Sequence, residues 1–239
     1  MAATPPPVVS VVIPTLNEAA RLPELLRRLA AEPVPHEVIV SDGGSADGTP
    51  EIAANLGARL VTGHRGRGPQ LRAGASLATG GIVWLLHADS VVPPGALSAL
   101  IGALAARPDA VGGNFRLLFD GDDPFSRWLD GFYARIRARG VFYGDSGIFV
   151  RRAVLEAVGG VPALELMEDH VLVRRLSRRG PMLLVAEPPL LTSSRRFAGR
   201  SPRAIVAGWA LVHAMHALGF PPRLIARVYD SARRRPGPA

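Results

Sequence analysis

The sequence predicts an α/β fold in which a mostly parallel, Rossmann-like central sheet is flanked by helices. Over the first half of the 239-residue chain, apolar stretches of strand length alternate with helical patterns, and the loops between them are short. This alternation is typical of parallel strands joined by right-handed crossovers. The apolar stretches are continuous, as expected for strands that are covered by helices on both faces.

The first half contains four predicted strands, each followed by a helix. The first helix is amphipathic, because Leu22, Leu25, Leu26 and Leu29 recur at helical spacing. A Gly-rich turn, GGSADGT, opens the second strand-to-helix connection. The predicted strands span residues 8–14, 36–42, 58–63 and 81–89, and the helical segments span 18–32, 43–57, 69–79 and 93–108.

The second half is less regular. The stretch MEDHVLVRRLSRRG begins with two acids and ends with arginines, which favours a helix because both ends suit the helix dipole. We expect residues 1–200 to form one domain and residues 201–239 a C-terminal helical extension. Further predicted strands are 110–120, the start of 147–161 and 182–188, and further predicted helices are 124–140, the end of 147–161 and 167–180.

Composition excludes several classes of site. The chain has no cysteine, which excludes disulfides, thiolate metal sites and thiol nucleophiles. The N-terminus has no basic region followed by a long apolar stretch, so we expect no signal peptide and a cytoplasmic location. The longest apolar stretch, residues 204–220, is shorter than the roughly 18 residues of a membrane span and contains His213 and His216. Without a third ligand, these two histidines are expected to be packing residues and not a metal site.

All 28 cationic side chains are arginine, and the net charge is +8. This excess indicates an anionic partner, such as a phosphate-bearing ligand or an acidic membrane surface, or alternatively reflects GC-rich coding. The arginines are scattered and not interleaved with aromatic residues in one stretch, so we expect no nucleic-acid partner.

Polar residues follow each of the first four predicted strands. Asn17 and Glu18 follow the first strand, Asp42 ends the second, residues 64–67 follow the third and Asp89 ends the fourth. Because ligands of parallel α/β sheets bind at the carboxyl ends of the strands, we expect these residues to share one cleft.

Two of these acids have chemistry that suits a nucleotide. A single carboxylate such as Asp89, together with waters and substrate phosphates, is how Mg²⁺ or Mn²⁺ is usually held; the alternative is a helix cap, although Pro93 and Pro94 place the next helix further on. Asp42, in SDGGSADGT, can accept a hydrogen bond from a nucleobase imide, and the alternative is an Asx-turn.

Four motifs occur in a fixed order: VSVVIPTLNEAARLPELL, VIVSDGGSADGT, VWLLHADS and MEDHVLVRRL. In this order and spacing, residues 8–200 resemble family 2 glycosyltransferases of the GT-A fold, and most closely a small bacterial subgroup whose metal motif reads H-A-D. The stretches GRGPQLRAGA and GDSGIFVRR also have counterparts in that subgroup.

The resemblance implies a donor half at about residues 8–110 and an acceptor half at about 110–200. It also implies that Asp89 is the metal ligand of the D-x-D motif, with Mg²⁺ or Mn²⁺ as cofactor. His87 stands in the first acidic position, so one carboxylate of the motif is missing and the metal identity stays open. The nucleotide-sugar-binding residues implied are Pro14, Thr15, Asn17, Glu18, Asp42, Arg67, Gln70, His87 and Asp89.

For catalysis, the resemblance assigns Asp169 as the general base and Glu168 as its acceptor-positioning neighbour. Without the resemblance, two acids at a helix start would be interpreted as structural, because the helix dipole favours them.

Two further pairs of residues are candidates beside these acids. Arg195 and Arg196 are diphosphate-binding candidates, since guanidinium pairs bidentately with phosphate; a solvated basic loop is the alternative. Gly144 and Asp145 are acceptor-binding candidates, with a simple turn as the alternative.

The function expected is that of an inverting, metal-assisted glycosyltransferase that uses a nucleotide-diphosphate sugar donor. A sugar-phosphate nucleotidyltransferase is one alternative, but a Gly-rich basic phosphate loop would then follow the first strand, where PTLNEAARL stands. A non-catalytic nucleotide-sugar-binding homologue is another: His87 supports it and the Glu168–Asp169 pair counts against it.

The arginine-rich end, PPRLIARVYDSARRR, is typical of a helix on the inner face of an anionic membrane, where a lipid-linked acceptor would be found. Packing on the domain and a homodimer interface are the alternatives.

Overall fold

The computed structural model describes residues 8–194 and 201–234. Within these residues no helix combines the length and the hydropathy needed to cross a membrane. The described strands are β1 Val9–Thr15, β2 His36–Asp42, β3 Arg59–Thr62, β4 Ile82–Leu85, β5 Ser90–Val91, β6 Gly112–Phe119, β7 Ile148–Arg151 and β8 Met182–Thr192. The described helices are α1 Leu22–Ala30, α2 Thr49–Asn55, α3 Arg67–Ser76, α4 Ala96–Ala106, α5 Pro124–Ala138, α6 Arg152–Ala157, α7 Glu168–Ser177, α8 Pro202–Ala217 and α9 Pro222–Arg234.

The strands form a single sheet in the order β3-β2-β1-β4-β7-β6-β8-β5. The first four neighbours are parallel, as the alternating first half of the sequence predicts. β7 runs antiparallel to both β4 and β6, and β5 runs antiparallel to β8. The sheet is therefore mostly parallel, with a mixed second half.

Two predicted strand ends were wrong. β4 ends at Leu85 and not at residue 89, because Leu85 is the last residue to pair with both neighbours, Val12 of β1 and Ile148 of β7. β8 continues to Thr192, because β6 stays beside it beyond the two consecutive prolines of EPPLL. A register shift at Phe115/Leu117 of β6 lies opposite these prolines, which cannot donate to the ladder.

Helices cover both faces of the sheet. On one face α1 and α4 pack against the largest buried aromatics, Trp84, Phe115 and Phe149. On the other face α3, α6 and α7 pack against a second cluster that includes Val12 and Val83. Because both faces are covered, β1 and β4 are continuous apolar stretches and their ends are fixed in place.

The C-terminal helices pack on the domain. Ile205 of α8 is buried against Leu117, Leu129 and Tyr133 of β6 and α5. The ring of Trp209 stacks on Phe132 with their centroids 5.6 Å apart. The sequence left open whether the C-terminal segment contacts a membrane, the domain or a second copy of the chain. The inner face of α8 packs on the domain.

Candidate active site

Several of the predicted site residues lie at the edge of the sheet where the parallel strands β1 and β2 end. Thr15 and Asp42 are the last residues of β1 and β2 and pair in register. The Thr15 hydroxyl donates to Asp42 Oδ2 at 2.9 Å. Pro14, one residue earlier, pairs with Ser41. These residues form the floor of the edge.

Asp42 holds the Gly-rich loop that follows it. Its carboxylate accepts hydrogen bonds from the backbone N–H groups of Gly44 and Ser45 and from the hydroxyls of Ser45 and Thr15. Burial alone would raise the pKa of Asp42, but these hydrogen bonds, led by those from Ser45, outweigh it and lower the pKa. The Asx-turn is thus formed, and a nucleobase N–H at Asp42 would compete with donors of the protein itself.

The loop after β1 is tied to the same Gly-rich loop. Asn17 adopts a left-handed backbone, with φ of 56°, and its side-chain oxygen accepts from the N–H of Ala46 at 3.0 Å. The backbone N–H of Glu18 donates to the hydroxyl of Thr49 at 3.0 Å. Both predicted residues therefore shape the wall beside Asp42.

Gln70 lies beneath the edge. Its buried amide donates to the carbonyls of Thr15 and Ser41, at 2.7 Å each, and so joins the ends of β1 and β2. The amide of Gln70, which was predicted to bind the nucleotide sugar, is therefore engaged by the backbone inside the fold. Gln70 is instead a positioning residue for the strand ends.

The two predicted catalytic acids begin α7 and are buried. Glu168 is 1% exposed and Asp169 is 8% exposed. Met167 precedes them with φ of 67°, a left-handed conformation that a non-glycine residue rarely adopts. Met167 is held by packing against Val212 and Ile225 of the C-terminal helices. The direction in which α7 begins therefore depends on contacts with α8 and α9.

Arg67, at the start of α3, pairs with both acids. Its Nε donates to Glu168 Oε1, and a second guanidinium nitrogen lies 3.4 Å from Asp169 Oδ2. Burial works against the charge on Arg67, but the two carboxylates outweigh it and raise its pKa. Arg67, which was predicted to bind the nucleotide sugar, therefore contacts both of the predicted catalytic acids directly.

The surroundings split the pKa values of the two acids. Burial, aided by the negative charge of Asp169, raises the pKa of Glu168 despite Arg67. Burial also acts on Asp169, but the charge of Arg67, the N–H groups of Gly144 and His170 and the nearby His87 outweigh it, so its pKa is lowered. The pKa of Asp169 is therefore lowered and that of Glu168 raised, which makes Asp169 the stronger acid of the pair.

Gly144 lies between the acid pair and His87. Its N–H donates to Asp169 Oδ2 at 2.9 Å. A Cβ at this position would lie 3.0 Å from His87 Nε2 and 3.4 Å from Asp169 Oδ2. The imidazole that replaces the first acid of the D-x-D motif thus lies beside the proposed base.

Asp89 lies in the turn between β4 and β5 and is half-buried. Among residues 8–194 and 201–234, no group of three or more His, Cys, Asp and Glu side chains could hold a metal ion. One carboxylate nevertheless fits Mg²⁺ or Mn²⁺, since these ions keep several waters and are completed by substrate phosphates. Asp89 therefore suits a cation that is also coordinated by a diphosphate. It does not suit a metal centre built from protein ligands alone.

A small cavity of about 80 Å³ opens beside Asp169. The acceptor candidate Asp145 lies in it, and Asp145 Oδ2 accepts from the hydroxyl of Tyr133 at 3.0 Å. The remaining wall comes from α3, the loops before β7 and α7, and the C-terminal helices: Arg67, Tyr143, Leu166, Met167, Trp209, Val212, His213 and Tyr229.

Sequence reasoning missed this aromatic wall. Tyr143 and His213 share a hydrogen bond of 3.0 Å, which ties α8 to the loop before β7. Burial, with the charges of Asp169 and Asp145, raises the pKa of Tyr143 to about 12, so the phenol stays neutral. No single-sequence signal joins these segments, which lie 70 residues apart. The predicted diphosphate-binding residues Arg195 and Arg196 lie outside the described residues.

Residues 10–156 match the model of the family described as Glycosyl transferase family 2. An uncharacterized glycosyltransferase of Mycobacterium tuberculosis is 38% identical over 109 residues, which are 45% of this chain and 49% of that protein. A Pseudomonas aeruginosa protein named undecaprenyl-phosphate 4-deoxy-4-formamido-L-arabinose transferase is 32% identical over 168 residues, 63% of this chain and 49% of that protein. The chain thus spans about half the length of these curated relatives.

Among solved structures, the mannosyltransferase PcManGT from Pyrobaculum calidifontis, in complex with GDP-Man and Mn²⁺, is similar with a TM-score of 0.66 and 21% sequence identity. The match covers 96% of this chain and 74% of that one. This similarity shows a shared GT-A fold and confirms the predicted fold class.

Proposed function

The chain belongs to glycosyl transferase family 2, and on this premise we propose that it transfers a sugar from a nucleotide-diphosphate donor to an acceptor hydroxyl, with inversion at the anomeric carbon. The observation that carries the proposal is the position of Asp169. This ionised carboxylate lies between the strand edge, where Arg67 and His87 reach it, and the aromatic cavity on its other side. A base between a donor edge and an acceptor cavity is the arrangement that the reaction needs.

In the proposed reaction, the acceptor oxygen bonds to the anomeric carbon while its proton passes to an Oδ atom of Asp169. The bond between that carbon and the β-phosphate oxygen breaks, and the nucleoside diphosphate leaves with the bonding electron pair. Gly144 N–H fixes the orientation of the Asp169 carboxylate. Glu168, whose carboxylate accepts from Arg67, lies next to Asp169 and helps to position the acceptor in this proposal.

Arg67 couples the two halves of the site in this proposal. It now pairs with Glu168 and Asp169, and a donor diphosphate would compete with them for its guanidinium. When Arg67 turns to the diphosphate, the pKa of Asp169 rises, because the charge that lowers it most has moved away. The base would then become a better proton acceptor when the donor is in place.

A divalent cation, when bound with the donor, would neutralise charge on the departing diphosphate. Asp89 is the residue that would hold it. The related mannosyltransferase structure contains GDP-Man and Mn²⁺. We therefore propose a uridine or guanosine diphosphate sugar as donor and Mn²⁺ or Mg²⁺ as cofactor.

The acceptor class follows from the relatives and the cavity. The Pseudomonas relative is named for undecaprenyl phosphate, and we propose for this chain a lipid-linked acceptor whose attacking group is a hydroxyl. The cavity contributes aromatic faces such as Trp209, together with Asp145 and Asp169. These groups suit the apolar face and the hydroxyls of a neutral acceptor unit.

The test is a panel of uridine and guanosine diphosphate sugars, assayed for release of the nucleoside diphosphate with Mn²⁺, with Mg²⁺ and with a chelator. We expect one donor to turn over in a metal-dependent manner. Asp89→Ala should abolish the metal dependence of donor binding, whereas Asp109→Ala should not, since Asp109 pairs with Arg107 at an exposed site away from the edge. Metal-dependent binding that is unchanged in Asp89→Ala would contradict the metal assignment.

A non-catalytic nucleotide-sugar binder remains the second candidate. His87 in the first metal-motif position favours it, as does the ion pair between Arg67 and the acids. The same panel separates the two functions: tight donor binding without release of nucleoside diphosphate, for any donor and either metal, would establish the binder.

A further inference from the structure

Between residues 204 and 218, every exposed position of α8 and of the residue after it is alanine or leucine. Exposed positions recur every three or four residues, as on one face of a helix. A helix that is exposed to water normally has polar residues on that face. The exposed residues from 204 to 218 are Ala204, Ala207, Ala210, Leu211, Ala214, Ala217 and Leu218.

The apolar surface continues through the turn into α9. Leu211 is 50% exposed and Leu218 is 76% exposed. Phe220 in the turn is 42% exposed, and Leu224 at the start of α9 is 41% exposed. Four large exposed apolar side chains on the second half of α8, the connection and the start of α9 form a patch of the kind that marks an interaction site.

Arginines flank this patch, and Glu165 of the domain pairs with one of them. Arg203 is exposed at the start of α8, Arg223 has an 85% exposed side chain, and Arg227 is exposed on α9. Residues 201–229 contain no Asp or Glu. Arg223 contacts Glu165 of the domain at 3.2 Å. The segment is therefore apolar in its centre and cationic at its margins.

We propose that the outer face of α8 and the α8–α9 turn dock on the surface of an anionic lipid membrane. A helix with an apolar face and flanking cations lies in the plane of the interface, and anionic headgroups attract the cations. α8 has 16 residues, which is short for a span, so an in-plane position fits its length. A second copy of this chain fits less well, because a symmetric contact would bring two sets of arginines together.

Docking in this orientation has a consequence for the candidate active site. The inner face of α8 contributes Trp209, Val212 and His213 to the cavity beside Asp169. The same helix would thus face the bilayer on one side and the acceptor cavity on the other. This consequence rests on the proposed function: an acceptor held in the membrane would enter beside α8.

The experiment measures binding of the full chain to sedimenting vesicles of phosphatidylcholine alone and of phosphatidylcholine with phosphatidylglycerol. We expect binding to the anionic vesicles that weakens as salt is raised. The double variant Leu218→Ser/Phe220→Ser should lower the affinity for anionic vesicles by a factor of about ten or more, because it removes two apolar side chains from the interface. The matched control is Leu56→Ser/Leu184→Ser, which changes two leucines of 45% and 46% exposure. Both lie outside the helical hairpin formed by α8 and α9, so this variant should bind like wild type.

Three results would overturn the docking proposal: no binding of wild type to anionic vesicles, equal binding of the hairpin variant and wild type, or a dimer in solution that the hairpin substitutions disrupt. The outcome is separable from the proposed function. Release of nucleoside diphosphate in vesicle-free solution should be the same in the hairpin variant and wild type. If wild type binds vesicles but turns over no donor, the proposed function fails and the docking proposal stands.

Discussion

Gly144 lies where no larger residue fits without moving the proposed base. We predict that Gly144→Ala lowers kcat at least tenfold, because its methyl group would press on His87 Nε2 at 3.0 Å and Asp169 Oδ2 at 3.4 Å and turn the carboxylate. KM for the donor should change less than kcat, since the hydrogen bond that Gly144 donates goes to Asp169 and not to the ends of β1 and β2. Steady-state kinetics measure both.

The matched control is Gly102→Ala in α4, where an added Cβ meets nothing within 4 Å. It should keep full activity and gain up to about 1 kcal/mol of stability, because alanine is the better helix former. Normal kcat in Gly144→Ala would show that the carboxylate position near Gly144 does not matter for turnover.

The lowered pKa of Asp42 makes the stability of the folded protein depend on pH. Its pKa is lowered in the folded state, so its ionised form stabilises the fold above the unfolded value of 3.8 and this contribution is lost as the pH falls through the folded pKa. Asp42→Asn should cost about 1–3 kcal/mol at pH 7, because four hydrogen bonds to a carboxylate are weakened.

Urea unfolding of wild type and Asp42→Asn at several pH values from 7 to 3 measures this contribution. The difference in free energy of unfolding should shrink toward the acid end. A difference that stays constant down to pH 3 would mean that Asp42 is not the ionised acceptor that its hydrogen bonds indicate.

At the residue scale, the sequence predicted which side chains lie near the ends of β1 and β2, but not the hydrogen bonds that those side chains make. Asp42 and Gln70 lie at the predicted edge, but both are engaged inside it. The letters DGGS suit both an Asx-turn and a nucleotide contact, so spacing alone could not separate the two. Met167 and its positive φ leave no signal in the sequence, because the strain is held by distant contacts.

At the element scale, the ends of β1, β2 and β3 match the sequence pattern within about one residue. β4 ends four residues before its predicted end, because the apolar sequence continues beyond the last residue that pairs with both neighbours. β5 was not predicted, because its two residues become a strand only by pairing with Leu191 and Thr192 of β8. A strand defined by a partner about a hundred residues away has no local pattern.

We predict that helix α8 contributes to acceptor binding and not to donor binding. Trp209→Ala should raise KM for the acceptor about tenfold, because it removes an aromatic wall of the cavity and its stacking on Phe132. Donor hydrolysis without acceptor should stay near the wild-type rate. Trp128→Ala is the control: this tryptophan also stacks on Phe132 but is 37% exposed and lies outside the cavity.

If Trp128→Ala raises the acceptor KM as much as Trp209→Ala does, the effect comes from disturbing α5 and not from the cavity wall. Equal loss of donor hydrolysis and of transfer in Trp209→Ala would likewise contradict an acceptor role for α8.

At the scale of the whole molecule, the sheet forms the proposed donor edge, and the C-terminal helices complete the proposed acceptor cavity. The sequence predicted the edge, because parallel strands place their ends together. It predicted a C-terminal helical extension but not that the extension forms a wall of the site. That contact joins α8 to α5 and α7 through side chains such as Ile205 and Val212, and only the folded chain brings them together.

The central claim is that Asp169 is the base of a sugar transfer whose donor binds at the adjoining strand edge. The most direct measurement is the rate of nucleoside diphosphate release by wild type and Asp169→Asn at saturating donor and acceptor, with donor affinity determined in parallel by calorimetry. We predict a fall in rate of at least a hundredfold, in line with the loss of a general base, and a donor affinity within about threefold of wild type. A variant that turns over at the wild-type rate, or one that no longer binds the donor, would contradict the claim.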